Sequence, residues 1–282
     1  MDIYQAIWDA DMDGSGIQPI SPADKKNISD GYVVVDIDNC SPDHQILKEV
    51  YIPDRKRLSY QLLEKLFNNY ALNQKDKENN KPSECKEIEE FLKMAIHSLP
   101  VKMAKTFIEK NSNKELNEFQ WYTYLYDLWF RQFNCESGRD LSGFEHVFLG
   151  EQKRKRLVGH HYWYKYWLED NLDQNKHNKD QIKMLCTNFS EPRSAEPHVV
   201  TLGYRLKAFD YEKNRFIDIS KKKCAFFVGV SAEGLLALGT VRAALDEIAS
   251  DTAVINNVNL KLELFKSPDG KSIRTFYPIA PS

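Results

Sequence analysis

No apolar run in the 282-residue chain approaches the ~18 residues that a membrane-spanning helix requires, so no membrane partner is expected. The opening MDIYQAIWDADMDG is acidic and lacks the basic start of a secretory leader. Cysteine is sparse. Cys40, Cys85, Cys135, Cys186 and Cys224 are scattered, odd in number and form no Cys-x-x-Cys pair. That excludes a Cys-x-x-Cys zinc site and favours reduced thiols over a disulfide framework, so a cytoplasmic location is expected. Repeats, low-complexity tracts and His-x-x-x-His spacings are also missing. A net charge of −2 gives no global attraction to nucleic acid.

What is present describes an ordinary globular chain. Charged residues make up 28% and apolar ones 42%. The first half reads mainly as helix. Leu58, Leu62, Leu66, Phe67 and Tyr70 recur at helical spacing, as do Ile88, Phe91, Leu92, Ile96 and Leu99, which Pro100 stops. Trp121, Leu125, Leu128 and Trp129 mark a further buried stripe. The polar, proline-containing residues 71–86 read as a surface loop.

The second half changes character. HVFLG and HVVTLGYRLKAF look extended, FDYEKNRF reads as a turn and CAFFVGVS as a buried strand. A helix follows through Leu235, Leu238, Val241, Leu245 and Ile248. VNLKLELF, SPDG and KSIRTFYP then make a hairpin. Helices first and strands with interspersed helices later give an α+β class. The expected organisation is one domain over 1–282, with a helical N-terminal lobe (1–140) and a catalytic lobe (141–282) of antiparallel sheets and packed helices forming a cleft. No obligate protein partner is evident.

Two features have bland readings as well as functional ones. DADMDG places Asp9, Asp11, Asp13 and Gly14 as a calcium loop does, but its twelfth position is Ile20 where a bidentate glutamate belongs. A helix ending in an acidic, Gly-containing turn explains the same letters. The basic runs KRKR (Lys153–Arg156) and KKK (Lys221–Lys223) read as solvated turns. They can also hold phosphates locally, since screening confines each field to roughly 8–10 Å.

The chemistry concentrates in GFEHVFLGE (143–151) and VGHHYWYKYW (158–167). Read as strands, Glu145 and His146 face opposite ways, and so do His160 and His161. One imidazole of the pair then shares a face with His146 while the other packs among the aromatics. Zinc needs three or four ligands, and only Glu145 and Glu151 lie nearby. Two imidazoles without a metal suit concerted acid–base work. An RNA strand supplies both reacting groups, the 2′-hydroxyl as nucleophile and the 5′-oxygen as leaving group, and a lysine suits the charged phosphorane.

These segments resemble the signature of the EndoU (XendoU-like) family of uridylate-specific endoribonucleases. IYQAIWDAD, LLEKLFNNY, LYDLWFRQF, CAFFVGVSAEG and SIRTFYP extend the likeness over nearly the whole chain. The resemblance implies cleavage of single-stranded RNA at uridylates, leaving 2′,3′-cyclic phosphate and 5′-hydroxyl ends, with manganese (Mn2+) as a stimulating cofactor. It implies His146 and His161 as catalytic residues, with Glu145 and Glu151 either orienting the imidazoles or holding a cation. Lys221 is implied as the catalytic lysine, with Lys222 and Lys223 as competing registers. Tyr277 is implied as a ribose and base contact, and Thr275 as a hydrogen-bond partner for a pyrimidine edge. Cys224 and Ala225 stand where the family often has Gly-Ser, which bears on uridine selectivity. KRKR replaces a shorter, less basic turn. The alternative is an RNA-binding protein on the same scaffold with little or no cleavage.

Overall fold

The computed structural model describes residues 2–171, 181–187, 190–245 and 251–280. Its helices are α1 (Ile3–Asp13), α2 (Arg57–Lys65), α3 (Pro82–Ala95), α4 (Leu99–Ser112), α5 (Glu118–Trp129), α6 (Trp163–Asn171) and α7 (Ala232–Ala244). The early strands are β1 (Gln18–Ile20), β2 (Tyr32–Val35), β3 (Leu47–Tyr51), β4 (Phe133–Cys135) and β5 (Gly138–Leu141). The later ones are β6 (Glu151–Lys153), β7 (Arg156–Val158), β8 (Ile182–Met184), β9 (Arg193–Ala195), β10 (Val199–Asp210), β11 (Arg215–Phe227), β12 (Thr252–Ile255), β13 (Val258–Lys266) and β14 (Ile273–Ile279). Mixed helices and largely antiparallel sheets make this an α+β fold.

The helical stripes form where spacing and capping agree. In α5, Trp121, Leu125, Leu128 and Trp129 are all buried. Asn117 and Gln120 close its start, each side chain accepting the other's backbone N–H at 2.9 Å. Helix α7 is buried from Ala232 to Ala243 and forms the centre against which α1 and α4 pack. Gly239 makes room there. A Cβ at that position would lie 2.6 Å from the Trp129 ring, whose Nε1 donates to Thr240 Oγ1 at 3.0 Å.

Several expectations change. Pro100 does not stop a helix but opens one. Helix α3 ends at Ala95, Leu99 is exposed, and Pro100 sits in the first turn of α4, where a missing N–H breaks no helical bond. The N-terminal half is not wholly helical, because Tyr32–Val35 is a fully buried strand at the centre of a β1-β2-β3 sheet. Residues 71–86 are not all loop or all surface. Pro82 starts α3, Gln74 and Glu78 are buried, and the Glu78 carboxylate accepts the Ala71 amide at 3.0 Å. The acidic N-terminal letters belong to α1, which ends at Asp13. Asp11 is buried and accepts the Ser231 amide at 2.8 Å.

The later strands meet expectation more closely. β10 and β11 pair antiparallel up to Asp210↔Arg215, around the FDYEKNRF turn, and β13 and β14 form the C-terminal hairpin. The main sheet runs β6-β7-β11-β10-β8, with β9 also on β10. Ile248, expected in the helix after β11, lies outside the described residues.

The reduced-cysteine reading is overturned. Cys40 and Cys186 form a disulfide with their Cα atoms 5.7 Å apart, while Cys85, Cys135 and Cys224 are free. The partners are 146 residues apart, so spacing along the chain could not reveal them. They meet because β8 docks beside the loop after β2, where the Met184 amide donates to the Pro42 carbonyl at 3.0 Å. Such bridges persist in oxidising compartments, so the cytoplasmic expectation loses its basis in reduced thiols.

Candidate active site

His146 sits on a helical turn, not a strand. Glu145–Leu149 is a π-helical turn in which the Gly150 amide donates to the Glu145 carbonyl at 2.9 Å. The apolar residues explain it: Phe144, Val147 and Phe148 follow helical spacing and are fully buried. Ser142 caps the turn, its Oγ accepting the Glu145 amide at 3.2 Å. Glu145 is itself buried and accepts the Ser142 amide at 3.4 Å. Its hydrogen bonds therefore go to the cap. Burial, then repulsion from Glu151, pushes its carboxyl well above the usual carboxylate range.

The histidine pair also departs from an extended limb. Gly159 and His160 both have positive φ, 70° and 62°, so the chain curls after β7. The His160 amide donates to the His146 carbonyl at 2.8 Å, and the His161 amide to the Val147 carbonyl at 2.6 Å. The curl thus clasps the π-helical turn. Glycine is required at its start, since a Cβ on Gly159 would fall 1.9 Å from the His146 carbonyl oxygen.

The two imidazoles of the pair part company as expected, for this different reason. His160 is fully buried, with Nδ1 at 2.5 Å from the Tyr204 hydroxyl and Nε2 at 3.2 Å from Glu169. His161 turns to His146, the ring centroids 6.4 Å apart. His161 Nδ1 lies 2.8 Å from the Ala225 carbonyl. A carbonyl only accepts, so Nδ1 carries the proton and Nε2 of the neutral ring keeps a lone pair. His146 Nδ1 lies 3.4 Å from Glu151.

Lys221 joins them from β11. It is buried beneath the curl and its Nζ donates to the Gly159 carbonyl, whereas Lys222 and Lys223 are exposed. Of the three registers, Lys221 is the one brought to the imidazoles. Cys224 is buried beside it, its Sγ donating to the His160 carbonyl at 3.0 Å and lying 3.9 Å from His161 Nδ1.

Sequence reading missed Arg274. Its guanidinium holds both oxygens of Glu151, at 2.7 and 2.8 Å, and so fixes the carboxylate that faces His146. Strand alternation puts Thr275 and Tyr277 on one face of β14 and Arg274 on the other, and nothing nearby in sequence announced its partner. The Tyr277 ring stacks on His161 with centroids 4.3 Å and planes 11° apart. Thr275 Oγ1 is buried and has no hydrogen-bond partner among the described residues.

The electrostatics differ between the imidazoles. Burial, then the Lys221 ammonium, lowers the His161 pKa well below the ordinary histidine value. Burial also lowers that of His146, but Glu151 opposes the shift. Lys221 is lowered by burial and partly restored by Cys224 and Glu151. Glu151, despite its burial, stays below the usual carboxylate range because His146 and Arg274 favour its charge.

A resident manganese ion does not fit these donors. Among the described residues no three His, Cys, Asp or Glu side chains cluster as a ligand set. Glu151 is committed to Arg274 and His146, which leaves the unpartnered Glu145 Oε1 as a single free carboxylate oxygen, too few for a ligand set. Cavities of about 430 Å³, beside Asp43 and Lys183, and about 360 Å³, beside Lys56 and Glu233, are lined by neither imidazole.

Known proteins resemble this chain over most of its length. The family model described as Endoribonuclease XendoU matches residues 2–278. A Danio rerio protein, uridylate-specific endoribonuclease C, is 28% identical over 98% of this chain and 86% of its own. The Xenopus laevis poly(U)-specific endoribonuclease-B is 26% identical over 76% of this chain and 69% of its own. The solved structure of XendoU, described as a splicing independent snoRNA processing endoribonuclease, superposes with a TM-score of 0.71 at 20% identity, over 99% of this chain and 96% of that one.

Proposed function

This chain belongs to the XendoU family of endoribonucleases, and on that premise we propose that it cuts single-stranded RNA at uridylates by internal transesterification. The observation that carries the reading is the pair His146 and His161, 6.4 Å apart by ring centroids, each with Nδ1 turned to the protein. Both Nε2 atoms are thereby left for substrate.

His161 acts as the general base. Its Nε2 lone pair takes the proton of the 2′-hydroxyl, and the 2′-oxygen attacks the adjacent phosphorus. Negative charge grows on the non-bridging oxygens, where the Lys221 ammonium stabilises it. His146 acts as the general acid. Glu151 favours its protonated form, and Nε2–H passes a proton to the departing 5′-oxygen. Arg274 keeps Glu151 ionised and aimed. The products are a 2′,3′-cyclic phosphate and a 5′-hydroxyl. Because the nucleophile is part of the substrate, no covalent enzyme intermediate is needed. Tyr277 offers its ring to ribose or base, whereas the unpartnered Thr275 hydroxyl is buried and meets a pyrimidine edge only after its cover shifts.

The test is digestion of an oligonucleotide with one uridylate, with and without manganese, reading the cut position and both new termini. Cyclic phosphate and 5′-hydroxyl ends at the uridylate are expected. Ends with 5′-phosphate and 3′-hydroxyl would overturn the transesterification.

A further inference from the structure

We propose that the KRKR hairpin and the exposed lysines of β11 form one phosphate clamp for RNA that extends beyond the cut dinucleotide. This rests on the endoribonuclease reading and extends it.

The two basic runs lie more than sixty residues apart in the chain, yet the fold sets them side by side. β7 runs parallel to β11 with Arg156 opposite Ser220, and the Ser220 amide donates to the Lys155 carbonyl at 3.2 Å. Lys222 and Lys223 follow directly on β11. Lys153, Arg154, Lys155, Arg156, Lys222 and Lys223 are all exposed, and none is paired with a carboxylate among the described residues.

The hairpin is also strained electrostatically. Lys153 and Arg156 are direct cross-strand partners, a like-charge pairing that opposes folding and that a bound anion relieves. Its position is held from both sides. β11 flanks β7, and on β6 the Gln152 amide donates to the Leu72 carbonyl at 2.6 Å while Gln152 accepts the Gln74 amide. The backbone that carries the cations is therefore in place before RNA arrives.

The patch borders the site. Ser220, which bonds Lys155, directly precedes Lys221, and strand alternation puts Lys153 on the face of β6 that carries Glu151, about 7 Å further along. RNA that extends beyond the cut dinucleotide carries its outer phosphates onto these cations. Lysine and arginine contacts to phosphate carry no base information, so the clamp reads length, not sequence.

The test uses Lys153→Gln/Arg156→Gln and Lys222→Gln/Lys223→Gln variants of the full chain. Substrates are a uridylyl dinucleotide and oligonucleotides whose single ribouridine carries deoxynucleotides on its 5′ or its 3′ side. Unchanged dinucleotide turnover shows that the variants fold and keep their chemistry. The clamp predicts a several-fold rise in KM confined to the extended substrates. It also predicts a shallower salt dependence, by about 0.7 in log–log slope per phosphate contact removed. Equal effects on all substrates, the dinucleotide included, or no effect on either extension would overturn it. If the unaltered protein cuts none of them, the endoribonuclease reading fails first and takes the clamp with it.

Discussion

Arg274 and Glu151 form a two-pronged ion pair across 123 residues of sequence, and its carboxylate lies 3.4 Å from the imidazole of His146. Removing the guanidinium strands a buried charge, a change that costs about 3–5 kcal/mol where no relaxation intervenes. Arg274→Met is therefore expected to lower both the unfolding midpoint and kcat. Glu151→Gln should do the same. The double variant should be less destabilised than the sum of the two, because it leaves no lone charge. Denaturant melts of the four proteins complete the cycle, and strict additivity would show that the pair does not act as a unit.

The imidazoles set the pH profile. His161 must be neutral to accept a proton, and its lowered pKa keeps it so to well below pH 6.5. His146 must be protonated, and its own lowered pKa removes that proton as pH rises. kcat/KM should therefore peak on the acid side of neutrality. Bound phosphate favours both imidazolium forms, so kcat should peak at higher pH than kcat/KM. His146→Ala and His161→Ala should each lose ~10²–10⁴ in rate while keeping RNA affinity. Parallel pH–rate and binding measurements check both statements, and an alkaline optimum for kcat/KM would contradict the assignment.

Gly159 holds the clasp between the histidine curl and the π-helical turn. Gly159→Ala puts a methyl into the His146 carbonyl at a φ of 70°. Displacement of the backbone under both imidazoles should drop kcat at least ten-fold, since a misplacement of ~1 Å can cost 10²-fold. A loss of stability of about 1–3 kcal/mol should accompany it. Unchanged turnover would mean that the clasp does not position the rings.

The Cys40–Cys186 bridge closes a loop of 146 residues and should contribute about 2–5 kcal/mol. Reductant, or Cys40→Ser, should lower the unfolding midpoint accordingly. Cys85→Ser, at an exposed free thiol, should not. Identical melts with and without reductant would mean that the bridge does not form in solution.

Much of this was legible from local pattern. The stripe in α5, the β13–β14 hairpin and the β10–β11 pair follow from spacing and turn residues alone. The π-helical turn is hidden from local pattern because a short apolar run fits both helix and strand periods, although Phe144, Val147 and Phe148 keep helical spacing. The His160–His161 division does not depend on that choice, since both an extended limb and the observed curl send adjacent side chains to different sides.

The order of residues by itself determined which groups were available: the imidazoles of His146 and His161, the lysine run ending in Lys223, and the TFYP strand. Tertiary structure decided which of them meet. Burial chose Lys221 over its neighbours, the Ala225 carbonyl fixed the His161 tautomer, and Arg274 found Glu151. The disulfide joined two cysteines that sequence had left apart. Contacts of this kind depend on distances between segments that only packing of the whole chain establishes, so local pattern carries no record of them.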